Sequence, residues 1–273
     1  IVPLLIFDIQ QQGKKINGEL WKPDALIRLE NEFFLVLADI ELAGMPFNIE
    51  RHSALVSKNE QVYNRRKKIL DDFLLTVSKF KKEGLFGDHI ELEWTSSKQV
   101  IEVFKHFGNC PKEISKSTKK EEYTVSATAL LKLLPVEYKE YYEKDIEQPI
   151  TDFNSFTLMY LLFKTAEQAI TTFGREFQKN IHPITKRIHS DYWQIVNTGR
   201  ISSRSPNLQN WPSEEDFRMC FNTIEGRSFV LADYSGQELR ITAEKSDEKS
   251  MVDFFNDGHP IFGDDFHAYV ATN

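Results

Sequence analysis

The hydrophobic period of this chain changes once, close to Gly174, and that change limits what it can fold into more than any other feature. Upstream, apolar residues recur at three- and four-residue spacing over long stretches, the pattern of amphipathic helices. Downstream, IHPITKRIHSDYWQIVNTGRISS alternates apolar and polar residues and is rich in β-branched ones, which predicts short antiparallel strands. Helices first and strands later is the order of an α+β fold. The expected class is α+β, mainly helical, with no internal repeat.

Punctuation residues divide the helical part. Residues 1–25 show no clear period and are broken by Gly13, Gly18 and Pro23, so they read as the tail of a preceding domain or a linker. Asp24 is placed to cap a helix through ALIRLENEFFLVLADIEL, which Gly44 and Pro46 end. That helix is apolar around most of its circumference and is expected to be buried. From Ser53 to about Lys82, Leu55, Val62, Ile69, Leu70, Phe73, Leu74 and Val77 mark a second helix, with RRKK (65–68) mostly on its solvated side and Gly84 and Gly87 as its stop. Ser96 or Ser97 opens a short helix over KQVIEVFKHF, which Gly108 closes. The polar, lysine-rich stretch from Pro111 to Glu122 reads as a mobile loop. A helix in SATALLKLL stops before Pro135. A longer one from about Asp152 to Phe173 turns Phe156, Met159, Tyr160, Leu162, Phe163 and Ala166 inward. After the strands come a turn-rich SPNLQNWP, a strand in RSFVLADYS, a helix in GQELRITAEKS, and a helix in DDFHAYVAT capped by Asp264 or Asp265.

Charge and cysteine content exclude several classes. A net charge of -7 over 273 residues argues against nucleic-acid binding by the whole surface. Between Ile181 and Pro212, however, Lys186, Arg187, Arg200 and Arg204 face Asp191 alone, a basic zone suited to one focused anionic ligand. No apolar run approaches the ~20 residues of a membrane helix, and IVPLLIFDIQ lacks the basic segment and cleavage site of a signal peptide. Cys110 and Cys220 are far apart, which fits a reduced, cytosolic setting without a zinc cluster. The chain has no initiator Met and stops inside DDFHAYVATN, as expected of a piece of a longer polypeptide.

Three segments could carry chemistry. Thr198 to Pro212, TGRISSRSPNLQNWP, gathers two guanidiniums with the amides of Asn207, Gln209 and Asn210. Such groups suit minor-groove acceptors and phosphate oxygens, or satisfy their own backbone through Asx turns. In FVLADYSGQELR, residues 229–240, an apolar run ends in Asp233, and Glu238 follows. A carboxylate at the end of a rigid strand is well placed for a hard cation, though one carboxylate is also an ordinary strand exit. His267 lies one turn into its helix, where an imidazole can meet an anionic group.

Taken together and in order, RIHSDYWQIVNTGRISSRSPNLQNWP, FRMCF, FVLADYSGQELR and DFHAYVA closely resemble the A-family (DNA polymerase I-like) DNA polymerases. The resemblance runs almost continuously from His182 to Thr272, and more loosely through LADIELAGMPFN and FKTAEQAITTFG. It implies a helical thumb-like region at 26–180. It also implies the N-terminal part of a palm at 181–273, with motif A at 231–240 and short antiparallel strands, ending before the fingers. Asp233 matches the motif A aspartate that holds two Mg²⁺ ions in the family, with the backbone carbonyl of Tyr234 reaching one of them. Glu238 matches the side chain that crowds the sugar 2′ position, Gln237 lies beside the nascent pair, and His267 matches a histidine near the nucleotide phosphates. Arg200, Asn207, Gln209 and Asn210 match contacts to primer–template DNA.

The implied partners are primer–template DNA and deoxynucleoside triphosphates, without a membrane, in the cytoplasm of a bacterium or of a virus-infected bacterium. Neither a processivity factor nor a helicase is indicated. The implied reaction is template-directed, two-Mg²⁺ nucleotidyl transfer to a primer 3′-hydroxyl. The second carboxylate ligand falls outside this sequence, so the 273 residues alone are expected to be inactive. Three departures stand out: DYSGQELR where relatives read DYSQIELR, the acidic SEED after Pro212, and a long GHPIFGDDFH link before His267. Glycine after the motif A serine also occurs in single-subunit RNA polymerases, against which Glu238 argues. The remaining alternative is a non-catalytic primer–template-binding remnant.

Overall fold

In the computed structural model, residues 14–16, 19–21, 24–84, 88–115, 117–194, 196, 199–223, 226–258, 261, 263 and 265–272 are described. Expectations resting on IVPLLIFDIQ, Gly13, Gly18, Pro23, Gly87, Thr198 and Asp264 lie outside them. The chain separates into two compact units, Ile1–Asn222 and Thr223–Asn273. Mainly helical architecture with two-stranded antiparallel pairs is what both contain between them, as an α+β class requires.

The first unit opens with a hairpin of β1 (Lys14–Ile16) and β2 (Glu19–Trp21), followed by α1 (Asp24–Ala43). Contrary to expectation, α1 is largely exposed. Leu37 is buried, but Leu29, Phe34, Leu35, Val36, Ile40 and Leu42 are not. Its apolar circumference shows what the helix could bury, and no described element covers those side chains.

β3 (Met45–Pro46) leads into α2 (Ile49–Leu75), capped by the Asn48 side chain accepting from Arg51 N at 2.9 Å. The helix ends at Leu75, short of the expected glycines. Thr76 turns back on it, its N–H and hydroxyl both donating to Phe73 O, and the chain enters a small hairpin of β4 (Lys81–Lys82) and β5 (His89–Ile90).

The central helix of this unit is α6 (Phe153–Thr171). An Asp152–Ser155 capping box starts it, and residues 156–163 are buried on every side. Against it pack Leu70 and Leu74 of α2, Val100, Val103 and Phe104 of α3 (Ser97–His106), Leu130 of α4 (Ala127–Leu133), and Trp94. Burial of such side chains is worth ~1.5–3 kcal/mol each. The helix α5 (Val136–Glu143), not foreseen in the sequence, completes the connection to α6. Arg65, Lys67 and Lys68 face outward to different degrees, but Arg66 does not. It is buried and donates to Glu147, Asp145 and Leu162 O at 2.8–2.9 Å, tying α2 to the α5–α6 connection.

The segment read as a mobile loop is instead an antiparallel hairpin of β6 (Lys112–Ile114) and β7 (Glu121–Tyr123). Its charged side chains hid it, because a hairpin solvated on both faces has no apolar alternation. Exposed Tyr123 is bracketed by the ammonium groups of Lys105 and Lys112 at 4.4 and 5.0 Å from its ring centre.

After a 3₁₀ segment (Arg175–Asn180), the expected short strands appear as β8 (Arg187–Ile188), β9 (Asp191–Trp193) and β10 (Ser202–Arg204). β8 pairs with β3, and β9 with β10. A second core forms here from Phe47, Leu55, Phe173, Phe177, Ile188, Phe217 and Cys220, the last two from α7 (Glu215–Arg218) and the residues after it.

The second unit holds α8 (Gln237–Ser246), α9 (Lys249–Asp257) and α10 (Phe266–Thr272) around Ala243, Phe254 and Phe255. α9 was not foreseen. Asp265 caps α10 through its carboxylate, which accepts from Ala268 N at 3.0 Å.

Candidate functional site

The amide-rich loop of the first unit is built outward from two buried serines. Register in the β9–β10 hairpin sets Ser203 opposite Tyr192, and Ser203 and Ser190 are both 3% exposed. Their hydroxyl oxygens are 2.6 Å apart, and Ser190 donates toward the carbonyls of Arg204 and Pro206. Ser203 Oγ also accepts from Leu208 N at 3.0 Å. Beyond them the chain makes a 3₁₀ turn at Leu208–Asn210 and inserts Trp211 among Phe47, Phe173, Phe177, Phe217 and Phe221. The Trp211 indole donates to Phe217 O at 3.0 Å, so this large, partly buried apolar group packs in without an orphaned polar atom.

On this footing the amides have fixed orientations. Asn207 Oδ1 accepts from the backbone N–H of Gln209 and Asn210 at 3.0 and 3.3 Å, an Asx turn that caps the 3₁₀ segment. Gln209 Oε1 accepts from Ser203 N at 3.1 Å, while its Nε2 donates to Ile201 O at 3.0 Å. Because those backbone partners are unambiguous donors and acceptors, oxygen and nitrogen cannot be exchanged in either amide. The oxygens face inward. Both Asn207 amide hydrogens and one of Gln209 have no partner among the described residues, and the exposed Asn210 amide has none either. What the loop presents to a ligand is thus chiefly N–H donors.

Arg200 lies exposed on the connection between β9 and β10, and the Arg204 guanidinium sits 5.1 Å from the Trp193 ring centre. The hairpin is tied to α1 through Tyr192 N donating to Glu41 at 2.6 Å and Gln194 Nε2 donating to Glu30 at 2.7 Å.

The second unit holds the carboxylate turn. Here the expected strand in RSFVLADYS is absent: residues 227–234 form no ladder, and Val230 and Leu231 are 91% and 94% exposed. A continuous apolar run supplies residues a buried strand could use, but the strand itself needs a partner for its N–H and C=O groups. No described segment pairs with it. Asp233 is exposed at the end of this extended stretch and makes no hydrogen bond or ion pair with a described residue; Tyr234 is 78% exposed.

Ser235 and Gly236 then turn the chain into α8, whose first two residues are the exposed Gln237 and Glu238. Arg240 braces the turn. Its Nε donates to Ser235 O at 2.8 Å, its Nη1 to Phe255 O at 3.2 Å, and its guanidinium lies 4.7 Å from the Phe255 ring centre. His267 is the second residue of α10 and is exposed.

Of the residues singled out in the sequence, Asn207, Gln209 and Asn210 share one loop, with Arg200 on the neighbouring connection. Asp233, Tyr234, Gln237 and Glu238 share one turn. The supporting pair Ser190 and Ser203 was missed; its only trace is two serines placed to meet across the hairpin. Among the described residues no three His, Cys, Asp or Glu side chains converge to hold a metal ion. Asp233 offers a hard, unpaired oxygen donor of the kind Mg²⁺ takes, so it fits as one ligand of such an ion and not as a complete site.

Comparison with known proteins places these segments. The family model described as DNA polymerase family A matches residues 67–273. DNA polymerase I of Pseudomonas aeruginosa is 29% identical over 249 residues, covering 88% of this chain and 24% of that protein. DNA polymerase I of Chloroflexus aurantiacus is 41% identical over 97 residues, 34% of this chain and 10% of that protein. The chain therefore spans about a quarter or less of the length of these relatives. In fold it is similar to the POL domain of Pol1 from M. smegmatis, solved in complex with DNA primer-template and dNTP. There the TM-score is 0.59 and the identity 24%, over 83% of this chain and 35% of that one.

Proposed function

This chain belongs to DNA polymerase family A, and from that premise we propose that it supplies the primer–template grip and one metal-binding carboxylate of a template-directed DNA polymerase. Residues 26–180 act as the helical thumb-like region, and 181–273 as the first part of the palm. The observation that carries the reading is the orientation of the loop amides. Asn207 and Gln209 spend their oxygens on the backbone and keep N–H donors outward. Every base pair offers minor-groove acceptors, N3 of purines and O2 of pyrimidines. A row of donors held rigidly would check the shape of a base pair without reading its sequence. Arg200 and Asn210 add a cation and a further amide at the same surface.

In the turn, the Asp233 carboxylate and the Tyr234 carbonyl would hold Mg²⁺. When bound, such ions stabilise the attacking primer 3′-oxygen and the leaving pyrophosphate. Glu238 would stand against the sugar 2′ position and select deoxynucleotides by clash rather than by attraction. Gln237 would lie beside the nascent pair, and His267 would donate to a phosphate. The proposed setting is the cytoplasm of a bacterium or of a virus-infected bacterium.

Primer extension by the complete polypeptide that carries this chain tests the reading. Asp233→Ala should lower extension by more than about a hundredfold while leaving primer–template affinity within about threefold, since removal of one charge-stabilising group typically costs that much. The 273 residues alone should bind primer–template and extend nothing. Extension by the isolated chain that Asp233→Ala abolishes would overturn the claim that the second carboxylate lies elsewhere. Preference for ribonucleotides in the complete protein would favour the RNA polymerase alternative.

A further inference from the structure

Between Asp233 and Glu238 an irregular segment passes into a helix within two residues, and Gly236 makes the passage in the left-handed region, at φ 59° and ψ 33°. Room is not what requires glycine there. A β-carbon on Gly236 would meet the Phe255 ring at 3.7 Å, an ordinary contact. The backbone angle is the constraint, because a residue with a β-carbon is strained in this region, and asparagine tolerates it better than most.

The two sides of the turn are unequally held. Downstream, Leu239 and Ala243 pack into the cluster around Phe254 and Phe255. Arg240 grips Ser235 O and Phe255 O while stacking on the Phe255 ring, and its own N–H donates to Gly236 O at 2.9 Å. Upstream, Asp233 is exposed and unpartnered among the described residues. If Gly236 were forced toward right-handed angles, the helix and the Arg240 contacts to Phe255 would stay, while Ser235, with its bond to Arg240, and Asp233 beyond it would move.

We infer that Gly236 is a positioning residue for nucleotide selection. Its left-handed backbone, locked by Arg240 on Phe255, sets the separation of Asp233 from Glu238, and with it how firmly Glu238 excludes a ribose 2′-hydroxyl from a triphosphate held at Asp233. This rests on the polymerase reading above and adds a specificity determinant to it.

The experiment compares kcat/KM for deoxy- and ribonucleotides in the complete polypeptide and in four variants. Gly236→Gln should lower the deoxy-to-ribo ratio by roughly five- to thirtyfold, the population shift equivalent to the strain of one left-handed residue. Gly236→Asn should stay within about threefold of the parent. Gly258→Ala also places a β-carbon at a positive φ, 70°, but after the last residue of α9 and outside residues 233–238, where it would meet nothing within 4 Å. It should lower stability and leave the ratio alone, separating positioning from general destabilisation. Arg240→Lys keeps the charge but forfeits the planar fork and the ring stack, and should move the ratio as Gly236→Gln does, even if the glycine variant fails to fold. An unchanged ratio in Gly236→Gln, or in Arg240→Lys where the former does not fold, overturns the inference, as does Gly236→Asn falling as far as Gly236→Gln. A parent protein that extends no primer overturns the polymerase reading, and this inference with it. A parent that extends primers with indifferent variants overturns the inference alone.

Discussion

In the loop of residues 199–212, Asn207 and Gln209 are tied to backbone groups, two buried serines pin the chain beneath them, and Trp211 sinks into an aromatic core. In the stretch of residues 227–234, Val230, Leu231 and Asp233 stand exposed, and order begins only at the Gly236–Arg240 turn. The contrast separates two ways of presenting polar groups. The loop is organised by contacts within its own unit, so its donors are held in place before any ligand arrives. Among the described residues the carboxylate stretch is held at its downstream end, by the Gly236 backbone and by Arg240.

The sharpest test removes the apolar anchor from each region. Trp211→Ala should destabilise the first unit by ~2–3 kcal/mol, below the ~3–5 kcal/mol usual for a fully buried aromatic side chain because Trp211 is only partly buried. Leu231→Ala should change stability by no more than about 0.5 kcal/mol, as for other exposed positions. Urea titrations of the 273-residue chain, followed by circular dichroism, compare the two. A loss above about 1.5 kcal/mol for Leu231→Ala would break the comparison, because the segment would then be packed.

A smaller effect comes from the serine pair. Ser203→Ala leaves Leu208 N–H without its acceptor and removes the oxygen opposite Ser190. One buried polar group left unpaired costs ~1–3 kcal/mol. The loss should appear in unfolding midpoints and, in primer–template titrations, as weaker binding, since the Gln209 and Asn207 amides hang on the same turn. Unchanged affinity beside reduced stability would show that the loop needs no such footing.

These two regions also mark what the sequence could tell. Helix starts and breakers were legible because their chemistry is local: helices beginning near Ser126 and Asp152, Gly108 after another, Asp265 before the last. The alternation after Gly174 was legible too, since β8, β9 and β10 follow it. The inward face of α6, Phe156 to Ala166, is buried as its spacing predicts, and what failed was the inference from apolar composition to a cover in two other segments. α1 and residues 229–232 have the composition of buried segments, yet burial belongs to a pair of surfaces, and one sequence stretch states only half of it. The β6–β7 hairpin failed in the opposite sense, its strands being charged on both faces. The candidate site residues were singled out through motif order. Their orientations were not, because whether Gln209 turns its oxygen or its nitrogen inward is decided by Ser203 N and Ile201 O.

The smallest expected effect is a pH dependence confined to the pinned region. His52 is fully buried beside Trp211, with ring centres 6.1 Å apart. Its Nε2 donates to Phe173 O at 2.8 Å, and its Nδ1 accepts from Gln178 Nε2 at 3.1 Å. Both bonds need the neutral ring, because a proton on Nδ1 would face the Gln178 donor. Burial holds the imidazole below its ordinary value of 6.5, outweighing the opposing pull of the Phe173 carbonyl. In the unfolded chain the same ring takes up a proton near 6.5. Stability contributed by neutral His52 is therefore complete above that pH and is lost as pH falls below it, with a slope limited to one proton, about 1.4 kcal/mol per pH unit. Unfolding of the first unit between pH 7.5 and 5.5, compared with His52→Phe, isolates this term, since the variant should be less stable at pH 7.5 and have the flatter profile. Parallel profiles would mean that His52 takes up its proton as readily in the folded chain as in the unfolded one and that the loop's footing is indifferent to pH.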